Sequence, residues 1–189
     1  MKSLIKILFI TVMATTTAVG QIPQKWVQHT VEDTINVPIE IYWDLSFKLN
    51  LEELESVGNY KDLPKIVKTT PVNGDFSQVG HSRRVHFNNG KTLLESIIEC
   101  QKPSSFAYEL TEVELDLKKV AKRARGHFST YPLPDGRTRV VWTYGFDQKN
   151  FICKWLIKRY IKSTHRFWMK DTLTEMKRQI EDLYKAQQK

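Results

Sequence analysis

Cys100 and Cys153 are the only thiols in this chain, and its five histidines, His29, His81, His86, His127 and His165, are scattered. No Cys-x-x-Cys or His-x-x-x-His spacing occurs, which removes the usual zinc-ligand and dithiol redox patterns. A Ser-His-Asp order and a glycine-rich phosphate loop are missing too, so nothing in the sequence asks for a metal or a cofactor. Long apolar runs are absent: thirteen residues separate Lys6 from Gly20, whereas a bilayer-spanning helix needs ~20. The eight glycines and seven prolines avoid residues 150–187 entirely, which leaves that stretch free to form one long helix.

The first twenty residues read as a secretory signal peptide. Lys2 and Lys6 precede an apolar run over residues 7–14, and small or polar residues follow up to Gly20. Ala18 and Gly20 supply the small side chains needed before the cut, so the mature chain is expected to begin at Gln21, leaving residues 21–189 as a single exported domain, periplasmic or secreted. That chain keeps 27 basic and 21 acidic side chains, a formal charge of +6. Outside the cytoplasm a basic balance points to anionic lipid or acidic ligands before nucleic acid. A basic but merely solvated surface is the bland alternative.

Residues 26–37 alternate with period two, placing Val27, His29, Val31, Asp33, Ile35 and Val37 on one face. Pro38 suits the start of a short helix that buries Ile39, Tyr42 and Trp43. Asn50 can cap a second helix through Leu51 and Leu54, with Gly58 ending it. Pro71 marks residues 66–72 as an edge strand. Strands follow at 79–87, 91–100, 106–111 and 120–131, and the turn at 132–136 leads to a seventh with Val140, Trp142, Tyr144 and Phe146 facing one way. On the final segment Met169, Leu173, Met176, Ile180 and Leu183 form one helical stripe. The class is therefore α+β, an antiparallel sheet of about seven strands with a terminal helix across its buried face. In a simple meander Cys100 and Cys153 lie at opposite edges, too far apart to pair.

Asn88-Asn89-Gly90 joins two of these strands. Taking Asn89 and Gly90 as a two-residue turn sets Arg84 opposite Glu95 as a solvent-side ion pair and Arg83 opposite Ser96. Arg83 and His81 are then carried inward, where an unpaired guanidinium is costly. Arg83 can reach the rim, pair with an acid such as Asp33, or await an anionic group on a ligand; the residues alone leave all three open.

Several segments resemble one family. Val37-Pro38-Ile39-Glu40-Ile41-Tyr42-Trp43-Asp44-Leu45 is similar to the strand-to-helix entry of the polyketide cyclase/dehydrase and lipid-transport family, within the START-like (Bet v 1-like, SRPBCC) superfamily. Gly80-His81-Ser82-Arg83, then Asn89-Gly90, then Leu94-Glu95 resembles its Gly-x-x-Arg strand, its turn and the strand glutamate that follows; Gly136-Arg137-Thr138-Arg139-Val140-Val141-Trp142 is similar to its penultimate motif. The likeness spans roughly residues 26–183. It implies the helix-grip fold, a bent antiparallel sheet wrapped around a long C-terminal helix, with a cavity for a hydrophobic ligand between them. The aromatic-rich stretch common in relatives before the second strand is reduced here to Tyr60.

Phe106, Tyr108, Trp142, Tyr144 and Trp168 are candidates to line such a pocket, with Met169 on the helix stripe and Arg83 and His81 as its polar groups. Their plain alternative is ordinary core. Lys154, Lys158, Lys162, Arg166 and Lys170 recur every four residues on the last helix, interleaved with apolar side chains. Like charges at that spacing repel, so the ridge is either a solvated face or a contact for an anionic membrane surface. The reading preferred here is an exported protein that holds a hydrophobic or lipid-like molecule. The alternative is a cyclase or dehydratase using His81, Arg83, Asp33 or Tyr108 for acid–base chemistry, with Glu95 joining only if the hairpin register differs by one residue.

Overall fold

The computed structural model describes residues 20–54, 60 and 63–188. The apolar leader and Gly58 lie outside them. Strand β1 (Val27–Ile35) leads to helices α1 (Ile39–Ser46) and α2 (Leu51–Leu54), then β2 (Ile66–Asn73), β3 (Ser82–Phe87), β4 (Thr92–Gln101) and β5 (Ser105–Thr111). Helix α3 (Leu117–Val120), β6 (Ala121–Pro132) and β7 (Thr138–Gln148) follow. Helix α4 (Phe151–Tyr160), a π-helical turn (Ile161–His165) and α5 (Arg166–Gln187) run on without a break. All strand pairs are antiparallel in the order β1-β7-β6-β5-β4-β3-β2. Pro71 sits on the outermost strand, where a missing donor costs no ladder bond.

Helix α4 starts where Asn150 Oδ1 accepts a hydrogen bond from the Cys153 N–H at 2.9 Å, a side-chain cap that satisfies one of the first-turn donors. On α5 the buried face is Trp168, Met169, Thr172, Leu173, Met176 and Ile180. Met169 and Ile180 are completely enclosed, each contributing roughly 1.5–3 kcal/mol of apolar burial. Leu173, Met176 and Ile180 pack with Ile35, Val37, Tyr42, Leu45 and Val140, tying α5 to β1, β7 and α1. The stripe ends one residue off expectation. Leu183 is exposed, and Tyr184 packs against the core instead. Both cysteines are free thiols, Cys153 buried and Cys100 half-buried.

The β3–β4 hairpin differs from the sequence reading. Phe87 N–H donates to Lys91 O at 3.0 Å and Gly90 N–H to Phe87 O at 2.9 Å, so the loop holds three residues. A two-residue turn of the favoured type needs positive φ at both positions; among the described residues Gly90 has it, at 76°, and Asn89 does not. The longer loop slips the pairing by one. Arg83 stands opposite Glu95, and Arg84 opposite Leu94. Leu93, Glu95 and Ile97 therefore turn inward in place of Leu94, Ser96 and Ile98. Arg84 pairs on the outer face with Glu112 at 2.7 Å, and Asp33 faces Lys177 at 3.4 Å, away from Arg83.

On the convex side the segment before β1 runs across the sheet. Gly20 N–H donates to Glu99 Oε2 at 2.8 Å, Arg125 Nη1 donates to Gln21 O at 2.7 Å, and Ile22 lies over Gly145. Trp26 is buried beneath the guanidinium groups of Arg123 and Arg125, 5.3 and 5.4 Å from its ring.

Candidate ligand-binding cavity

Between the concave face of the sheet and the terminal helix lie two abutting volumes. The smaller, about 220 Å³, is bounded by α1, α2, the β2–β3 loop, β3–β7 and α5. The larger, about 840 Å³, lies under the β3–β4 hairpin, the α3 loop, α4 and the π-helical turn. Leu51, Glu95 and Tyr108 belong to the walls of both. Aliphatic and aromatic side chains such as Val85, Phe87, Leu93, Leu110 and Ile157 make most of the larger wall, and Lys65, Asn88, Asn89, Lys91 and Asp116 add polar groups.

The aromatic walls follow from strand alternation. Phe106 and Tyr108 on β5, Phe128 on β6, and Trp142 and Tyr144 on β7 all face inward. Phe128 stacks on Trp142 with centroids 5.0 Å apart, and Trp142 meets Trp168 of α5 at 5.7 Å. Tyr108 crosses β6 at Gly126, where a Cβ would sit 2.2 Å from its ring. Glycine is required there to leave room for the ring.

Arg83 is the guanidinium of the smaller lobe. Its Nε donates to Glu95 Oε2 at 2.5 Å, and Phe76 covers it with its ring centroid at 3.8 Å. Phe76 reaches that position from a left-handed backbone, φ 59°, uncommon for an aromatic residue. The lobe's other polar side chains are mostly satisfied within the protein: Ser46 bonds Trp43 O, and Thr130 bonds Pro103 O. Two are not. Trp142 Nε1 and Thr172 Oγ1 are buried without a hydrogen-bond partner.

In the larger lobe the π-helical turn brings His165 inward, with Tyr144, Phe146, Tyr160 and Trp168 within 4.7–5.5 Å of its ring. Its Nδ1 lies 3.1 Å from His29 Nε2. Burial, reinforced by Arg166, lowers the His29 pKa to about 4; burial, reinforced by His29, lowers that of His165 well below the usual imidazole range. Both rings are neutral at pH 7. At the far end burial, with Asp171 adding to it, pushes the Tyr60 phenol up to about 12.

Of the residues singled out from sequence, Arg83, Phe106 and Trp142 line the smaller lobe, Tyr144 and Trp168 the larger, and Tyr108 both. Met169 is enclosed in the core and contributes to neither wall. His81 sits in the β2–β3 loop, 2.9 Å from Asp75 and bonded to Gln78, also outside both walls. Glu95, Thr172 and His165 are wall residues that the sequence reading did not place there. Glu95 was hidden by the register, Thr172 lies on the buried arc of α5, and His165 depends on a π-helical turn that no residue pattern announces.

No protein-family model and no curated protein matches the chain. Solved structures match in shape. Major latex-like protein 151 of Panax ginseng superposes with a TM-score of 0.56 at 15% identity, over 83% of this chain and 96% of its own. Ara h 8.0201 gives 0.54 at 14%, over 85% and 99%. The chain has the Bet v 1-like, helix-grip fold. A protein from Arthrobacter aurescens shares that shape at 10% identity, with a TM-score of 0.56 over 82% of this chain and 86% of its own. In the present helix-grip chain the grip is incomplete, because the sheet and terminal helix leave both lobes between them.

Proposed function

We propose that this is an exported carrier that holds a hydrophobic or lipid-like small molecule between sheet and helix and exchanges it at an anionic membrane surface. The observation that supports it is the pair of abutting volumes with largely apolar, aromatic-rich walls, the kind of concavity that encloses small apolar ligands. The membrane part rests on α4. Phe151, Ile152, Trp155 and Leu156 are exposed there, and Leu156 also lines the larger lobe. Residues 149–170 hold seven lysines and arginines and no acid. Native mass spectrometry of protein purified without detergent tests the carrier reading: a co-purifying or readily accepted apolar molecule supports it, and a chain that stays empty with every lipid extract offered rejects it. N-terminal mass determination after expression with the leader tests export, the expected start being Gln21.

A second reading is acid–base cyclisation or dehydration of a hydrophobic substrate. It is favoured by the inward Glu95, which shares the junction of the lobes with Tyr108. Turnover of an aromatic polyketide surrogate that survives Glu95→Gln and Tyr108→Phe would count against that chemistry.

A further inference from the structure

Resting on the carrier reading, we infer that the smaller lobe is the seat of a neutral carbonyl oxygen at one end of the ligand, whose apolar body extends into the larger lobe. Trp142 and Thr172 are more than nine-tenths enclosed, and both line this lobe. Their polar atoms, indole Nε1 and hydroxyl Oγ1, have no partner. A buried donor left unmade costs free energy comparable to a lost hydrogen bond, so such pairs are rare unless something completes them.

The Thr172 hydroxyl has an obvious local option that it does not take. Thr174, two residues along the same helix, bonds back to Lys170 O at 3.0 Å; Thr172 makes no such bond to its own preceding turn. Trp142 touches α5 at Trp168, and Thr172 lies four residues further along the helix. The two unsatisfied groups thus belong to wall residues of the same lobe, one on the sheet and one on the helix that covers it. An indole N–H can only donate and a threonine hydroxyl can donate, so one oxygen with two lone pairs serves both.

The charge inventory selects a neutral oxygen. Arg83 is matched by Glu95, and Asp75, the remaining charged side chain on this wall, is acidic. With no net positive charge to receive a carboxylate or phosphate, the lobe is suited to a ketone, aldehyde or ester. The larger lobe accommodates the hydrocarbon.

The test is displacement of a fluorescent apolar dye from the purified protein by 2-undecanone and by undecane, in wild type and in Thr172→Val, which removes the hydroxyl and keeps the shape. Thr172→Ser, which keeps the hydroxyl, is the control. The expected result is that Thr172→Val weakens 2-undecanone about five-fold, one net hydrogen bond. Undecane should be unaffected or bind tighter, and Thr172→Ser should retain the wild-type preference. Equal changes for the two probes in Thr172→Val, or no change for either, overturn the inference while leaving the carrier reading intact. Failure of both probes to displace dye from wild type overturns the carrier reading and the inference with it. Undecanoate binding more tightly than 2-undecanone would replace the neutral oxygen by an anionic one and equally refute the proposal.

Discussion

Glu95 is 7% exposed and its carboxylate is held by Arg83, whereas Glu112, the partner of Arg84, has more than half its side chain in solvent. Removing the charge from each should therefore have unequal effects. Glu95→Gln weakens the partner of a part-buried guanidinium and is expected to cost about 1–3 kcal/mol in urea denaturation. Glu112→Gln breaks a screened surface pair and should cost less than about 1 kcal/mol.

Gly126 is constrained by volume. A methyl group there meets the Tyr108 ring at 2.2 Å, and that ring has Phe106, Phe128 and Tyr144 as neighbours, so Gly126→Ala should destabilise by about 1–3 kcal/mol through overpacking. The His29–His165 pair sets a pH response. Both imidazoles have folded pKa values below their unfolded value near 6.5. On acidification the unfolded chain takes up protons first, so this contribution to stability is fully present above about pH 6.5 and is lost as the pH falls toward 4. Urea midpoints measured from pH 7.5 to 4.5 should decline across that window, and His165→Phe should flatten the decline.

At the scale of the element, α4 and α5 behave differently although they are one continuous rod. Helix α5 has a regular buried face; α4 buries only Cys153 and Ile157 and leaves four large apolar side chains in solvent. Lys154, Lys158, Lys162, Arg166 and Lys170 are all exposed. If α4 rests on an anionic bilayer, co-sedimentation with phosphatidylserine vesicles should weaken as salt is raised. It should also fall about thirty-fold in the double variant Lys158→Gln, Lys162→Gln, at roughly 1 kcal/mol per cation near the surface. Unchanged binding would remove the membrane from the proposal.

The strands themselves were readable because alternation survives in Val27 to Ile35 and in Trp142, Tyr144 and Phe146, and because Pro71 marks an edge. Two features were not. Asn88-Asn89-Gly90 fits a loop of two residues or three, and the choice turns over the β4 side chains as far as Ile97, beyond which a bulge restores the phase; this is why Glu95 was read as a surface residue. The π-helical turn is composed of Ile161, Lys162, Ser163, Thr164 and His165, none of which forbids an ordinary α-helix. Its cause is tertiary: His165 is held among four aromatic rings and His29.

For the molecule as a whole, β2 to β7 form an antiparallel meander, β1 crosses over to pair with β7, and the last element closes the fold; the resemblance carried by Val37 to Leu45, Gly80 to Arg83 and Gly136 to Trp142 led to it correctly. What lies between sheet and helix was less legible, because a cavity is the volume that side chains fail to fill and no single residue encodes it. An internal volume of this size has a global consequence. A ligand that binds only the folded state stabilises it by RT ln(1 + [L]/Kd). Protein stripped of its guest by organic extraction and refolded should unfold at a lower temperature than protein as purified, and the difference should be restored by adding back the extract. Coincident melting curves for the two preparations would mean that no guest had been present.

The π-helical turn puts one surplus residue into the rod. Each residue of an α-helix advances the azimuth by about 100°, so the inserted one offsets the two helices from each other in rotational phase. Excising Ser163 alone would bring them back into phase. If α5 keeps its seat, α4 must then rotate by about a quarter turn, carrying Trp155 and Phe151 to a new bearing and withdrawing Leu156 from the rim. Loading of the interior and adhesion at the surface would then be lost together by a one-residue deletion that touches neither.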